Sequence, residues 1–160
     1  MDYAVDGRPL LQLLSESARG SLADDLIPVL VYDWSPDDEI DVLLGTCRSD
    51  LDDGRVPLYT CPECADLGCG AITTVVERDA ETVRWRDLGY QTDDEPFDDD
   101  YLLTDMGPFE FDRVEYEAVL ATFRAGWPDG AARRAAEAET ERFPRKRRRF
   151  KLFRGGRATD

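Results

Sequence analysis

The chain has 160 residues, 42% hydrophobic and 10% aromatic, and 35 acids against 20 Lys and Arg give a formal charge of −15. That is enough apolar surface for one folded domain with a basic tail and too little length for two ordinary ones, which excludes wholesale disorder. No histidine is present, so the commonest general base and metal ligand near neutral pH is missing, and Ser-His-Asp and Cys-His catalysis go with it.

The charge is unevenly placed. Residues 142–160 hold nine Lys and Arg and one acid, Asp160, a net +8, which leaves −23 on residues 1–141. A body this acidic repels phosphate and attracts basic proteins; solubility alone is the plainer use of the same charge. Met1-Asp2-Tyr3-Ala4-Val5-Asp6 has neither a basic n-region nor an apolar run, and no apolar stretch reaches membrane-spanning length, so a cytoplasmic protein is expected.

In chain order, Asp6-Gly7 suits a type I′ turn between Asp2–Val5 and Arg8–Leu10, while Pro9 could instead open a helix with Leu10, Leu11, Leu14 and Ala18 on one face. Leu26–Tyr32 reads as a buried strand pushed toward an edge by Pro28. Ser35-Pro36-Asp37-Asp38 signals a helix start, with Ile40, Leu43 and Leu44 inward and Gly45 at the end. Val56–Thr60 is a strand, and Ala71–Glu77 with Thr82–Tyr90 is the best hairpin. Gln91–Asp105 carries seven acids and reads as a mobile, self-repelling loop. Phe109–Phe111 adds a strand. Asp112-Arg113-Val114-Glu115 has capping-box spacing before a helix with Tyr116, Val119, Leu120 and Phe123 on one face, ending near Gly126.

The expected fold is therefore α+β: a small, mostly antiparallel sheet with a central β-hairpin after a Cys-rich turn, packed by two to three helices, within one acidic domain over residues 1–126. A surface helix or linker follows over 127–144. Arg145, Lys146, Arg147, Arg148 and Arg149 begin a basic, flexible tail over 145–160.

Cys61-Pro62-Glu63-Cys64-Ala65-Asp66-Leu67-Gly68-Cys69-Gly70 is the one local pattern with chemistry in it. Two thiolates separated by two residues can grip one zinc from a tight turn; Cys69 remains within reach, and Cys47 would be the fourth ligand. The same Cys-x-x-Cys spacing serves thiol-disulfide exchange, although Glu63 and Asp66 disfavour a thiolate. Reduced thiols acting only as small apolar residues are the third reading.

Arg55-Val56-Pro57-Leu58-Tyr59-Thr60-Cys61-Pro62-Glu63-Cys64, Asp66 to Ala71, Val83 to Gln91, and Gly107-Pro108-Phe109 to Asp112 together resemble a group of uncharacterised actinobacterial proteins, over most of residues 1–125. Members often bear the general label of oxidoreductase with no identified mechanism. Their pattern has cysteines matching positions 61, 64 and 69 and none matching 47. The resemblance thus leaves Asp66 or Glu63 as a substitute ligand, and it implies a fold and no activity.

Gly68-x-Gly70 lacks the third glycine of a dinucleotide fingerprint, and the acids at 93–100 lack EF-hand order. Trp85, Tyr90, Asp93, Asp94, Glu95, Phe97, Asp98, Asp99, Asp100 and Tyr101 mix rigid aromatics with charge, as a protein-binding surface does. The function expected is a non-enzymatic module that binds a basic protein, of the immunity or inhibitor kind. The alternatives are a thiol-dependent oxidoreductase using Cys61 and Cys64, or a zinc-stabilised scaffold.

Overall fold

Asp6 and Gly7 take φ of 51° and 76°, as a type I′ turn requires, and join β1 (Ala4–Val5) to β2 (Arg8–Pro9) in a small antiparallel hairpin. Helix α1 (Leu10–Glu16) starts directly after, with Pro9 at its N-cap and Leu10 and Leu14 buried. Both readings of Pro9 are thus realised in part, because a proline that ends a strand also has the φ that opens a helix; the helix stops at Glu16, so Ala18 lies beyond it and not on its face. This computed structural model describes residues 2–30 and 36–126; Ser35, the surface helix over 127–144 and the basic tail Arg145, Lys146, Arg147, Arg148 and Arg149 lie outside them.

The main sheet is antiparallel throughout, in the order β3 (Ile27–Pro28), β4 (Val56–Thr60), β5 (Ala71–Arg78), β6 (Thr82–Gln91), β7 (Phe109–Asp112). With the helices it makes an α+β fold. β3 is shorter than Leu26–Tyr32 suggests, and it sits at the edge, where a proline without an N–H costs least. Each neighbouring pair in the sheet is consecutive in the chain, with a tight turn only between β5 and β6; α2 lies in the connection from β3 to β4, and the acid-rich segment joins β6 to β7. Asp79 closes the β5–β6 turn by accepting N–H bonds from Glu81 (2.8 Å) and Thr82 (2.7 Å).

Helix α2 (Pro36–Leu44) opposes its positive end with Asp37, Asp38 and Glu39 and buries Ile40 and Leu43. No basic residue occupies its last turn. Arg78, from the end of β5, does that work by donating to the carbonyls of Val42 (3.2 Å) and Leu43, which ties the C-terminus of α2 to that end of the sheet.

Burial pushes the Glu39 carboxyl up, and its Oε2 has no hydrogen-bond partner. A raised pKa means that the folded chain holds this proton more tightly than the unfolded one. Its contribution to stability is present at low pH and lost as pH rises through the folded pKa. Glu39→Gln is therefore expected to unfold at a higher temperature than the parent at neutral pH, with the gap closing near about pH 4. A variant that melts lower at neutral pH overturns the reading.

Asp112 caps helix α3 (Arg113–Gly126), its Oδ1 accepting Glu115 N–H at 2.9 Å. Leu120 is buried and Tyr116 and Phe123 are half-buried, but Val119 is 61% exposed. It stands about 50° to one side of the line through Tyr116 and Phe123, and the contact stripe lies toward Leu120 on the other side, too narrow to cover both. Trp85 is 3% exposed and is enclosed edge-on by Tyr3, Phe111 and Tyr116. It is a core residue rather than part of a binding surface.

The acid-rich segment is anchored, contrary to its reading as a mobile loop. Leu102 bridges to Gly89, Leu103 donates to Leu88 O at 2.8 Å, and Leu103 is 2% exposed. Asp98 caps a single 3-10 turn over Asp99–Tyr101. Charge repulsion is real for the acids, but Leu103 and Met106 pack into the core beside them, and that burial decides the path of the backbone.

Candidate metal centre

β4 ends at Thr60 and β5 begins at Ala71, and these two residues pair across the sheet. Residues 61–70 are therefore a loop closed at its base, which brings Cys61 at one strand end toward Cys69 at the other. Ala65 N–H donates to Cys61 O at 3.0 Å, and Ala65 takes φ of 54°, folding the chain back within one turn. Asp66 then accepts Gly68 N–H on Oδ1 at 2.9 Å and caps a 3-10 turn over Leu67–Cys69, which delivers Cys69 back to the first two cysteines.

The Sγ atoms of Cys61, Cys64 and Cys69 all lie within 4.8 Å of one another, with Cys64 and Cys69 3.3 Å apart. Three sulfurs so placed can hold a metal ion. The Cys61 thiol is pulled down, first by the N–H of Glu63 directed at its sulfur and then by the Cys64 side chain. Cys69 is pushed up to about 11, first by its hydrogen bond to Cys64 and then by the negative charge of Cys64 and other neighbours including Asp66. One thiolate is favoured and one proton is held hard. A divalent cation among the three sulfurs would reverse the second effect, because its charge outweighs that of the neighbours.

Cys47 is not the fourth member. It is exposed, just beyond α2, with its N–H on Asp41 O at 3.1 Å. Arg78 holds that end of α2 to the far end of β5, and seven strand steps of about 3.3 Å separate Arg78 from Ala71. The fold thus places Cys47 and the cysteine turn at opposite ends of β5.

The same sheet register brings the turn and the acidic loop together. Ala71 pairs with Gln91, so the start of β5, where the turn ends, lies beside the end of β6, where the acids begin. Tyr90 donates to Cys69 O at 3.3 Å and its ring lies 6.0 Å from that of Tyr101. Asp66 Oδ1 and Asp93 Oδ1 each stand 3.1 Å from where a Cβ on Gly68 would be. Asp93, Asp94, Glu95, Asp98, Asp99 and Asp100 are exposed, Tyr101 is 45% exposed, and Tyr90 and Phe97 are half-buried.

Sequence reasoning missed the residue that holds this arrangement. Arg55, 5% exposed, donates to Thr73 Oγ1 at 2.8 Å and to the carbonyls of Thr73 (3.2 Å) and Asp87, and its guanidinium lies 3.7 Å from the centre of the Phe97 ring. A buried arginine in an irregular run before a strand carries no local signal. Asp66-x-Gly68 does, since that spacing is an Asx turn. Comparison with protein-family models, with curated proteins and with solved structures gives no match to this chain.

Proposed function

We propose that the chain is a non-enzymatic binding module, of the immunity or inhibitor kind, whose acidic face takes a basic protein partner and whose cysteine turn holds a zinc ion that stiffens the base of that face. One observation carries the reading. Three sulfurs within 4.8 Å of one another stand where β4, β5 and the acidic loop meet, and thiolates in that number select zinc among the abundant divalent ions. The −23 on residues 1–141 supplies the attraction for a basic partner. Basic proteins presented at low salt are expected to bind and to be released as salt rises; neutralising the acids from Asp93 to Asp100 should remove most of that binding. Binding that survives both changes refutes the acidic-face part of the proposal.

The 3.3 Å separation of Cys64 and Cys69, with Cys61 in the same cluster, supports a second reading, a thiol-dependent oxidoreductase using Cys61 and Cys64 with Cys69 beside them. Rapid exchange of the metal-free protein with a model disulfide would favour it; alkylation and exchange at the rates of ordinary thiols would dismiss it. The label borne by the actinobacterial proteins that this sequence resembles agrees with that reading but identifies no mechanism for it.

A further inference from the structure

Asp66 and Asp93 reach the cysteine turn from opposite sequence neighbours, one inside the turn and one on the acidic loop, and both carboxylates converge on Gly68. Among the described residues neither is in an ion pair. The two carboxylates thus stand as near neighbours at Gly68, one residue before Cys69, on the turn whose three sulfurs lie within 4.8 Å of one another, and like charges so close are relieved by a cation between them. The two acids are not equivalent. Asp66 Oδ1 is committed to the Gly68 N–H, which fixes that carboxylate in the turn. The Asp93 side chain has no hydrogen bond among the described residues and is exposed on a segment that precedes the Phe97 anchor, so it is free to move.

We infer that Asp93 supplies the fourth ligand, an oxygen, to a divalent metal held by Cys61, Cys64 and Cys69, with Asp66 remaining hydrogen-bonded beside it. The inference rests on the zinc reading and extends it. A tetrahedral ion takes four donors, and the described residues bring three sulfurs within 4.8 Å of one another. Neither carboxylate oxygen belongs to that sulfur cluster, so filling the fourth position draws residue 93 toward the turn. Metal binding then clamps the first residues of the acidic loop to the end of the sheet and sets the geometry in which Asp94, Glu95 and the later acids meet a partner.

The test uses the full chain titrated with cobalt(II) alone, followed by zinc competition, with hydrogen exchange of residues 92–98 read with and without zinc. Asp93→Asn is expected to weaken metal affinity by about tenfold or more, to alter the cobalt visible bands and to abolish the zinc-induced protection of the loop. Asp94→Asn, one position on, should change none of these. An Asp93→Asn protein with parental affinity, spectrum and loop protection overturns the assignment while leaving the zinc reading intact. Losses found in Asp66→Asn and not in Asp93→Asn overturn it in the same way and move the ligand into the turn. A parent protein that binds neither cobalt nor zinc overturns the zinc reading itself.

Discussion

Zinc is expected to raise the melting temperature of the metal-free protein, and a chelator to lower it again. A ligand that binds only the folded state stabilises it by RT ln(1 + [L]/Kd), which is about 2.7 kcal/mol at a free concentration one hundred times Kd. For a chain of this size that corresponds to roughly 5–10 °C. Cys64→Ser is the informative variant, because Cys64 contacts Cys69 and also helps to hold down the Cys61 thiol, while its half-exposed position in the turn leaves the core untouched. The variant should fold and show no zinc-dependent shift. The parent's shift should shrink as pH falls, since protons compete with the metal for the thiolates. Differential scanning calorimetry at two zinc concentrations decides the matter; an unmoved melting temperature in the parent removes the metal from the account.

Gly70→Ala should destabilise the protein by about 2–4 kcal/mol, from two separable causes. Gly70 has φ of 100° and ψ of 146°, a region that residues with a Cβ enter only at a cost of about 1–3 kcal/mol. A Cβ there would also stand 1.9 Å from the Tyr90 hydroxyl. Tyr90 can swing outward, but it then gives up its bond to Cys69 O and its packing on Tyr101. In the double variant Gly70→Ala, Tyr90→Ala the clash is gone and the backbone strain remains, so the Gly70→Ala cost measured in a Tyr90→Ala background should be smaller than in the parent. Denaturant unfolding of the four proteins measures the difference. Equal costs in the two backgrounds would mean that the tyrosine already moves freely. Because Gly70 follows Cys69 directly, the single variant should also bind metal more weakly.

Much of this architecture was legible without coordinates. The Val56–Thr60 strand, the Ala71 to Tyr90 hairpin and the Asp112-capped helix follow from β-branched runs, an Asp-rich turn and a capping residue at fixed spacing. Each is a local interaction, within reach of its neighbours in sequence. The misreadings share a different origin. Trp85 looked available to a partner because aromatics beside acids suit an interface, yet Tyr3, Phe111 of β7 and Tyr116 of α3 converge on it from 82 positions upstream to 31 downstream. Val119 looked inward on periodicity alone, and only the width of the contact made by α3 leaves it in solvent. Cys47 counted as a ligand when cysteines were tallied, and the Arg78 tether to α2 sends it to the other end of β5.

By itself, the sequence determined the acidic body, the absence of histidine chemistry, the strand-and-helix series and the tight Cys61-to-Cys69 turn, because composition and short-range hydrogen bonds suffice for each. Only the tertiary structure decided that three cysteines converge and the fourth does not, and that the turn and the acidic loop form one surface. Those outcomes depend on the Thr60–Ala71 and Ala71–Gln91 pairings and on the Arg55 clamp over Phe97. They are long-range contacts, fixed by burial and register, which no short window of sequence contains.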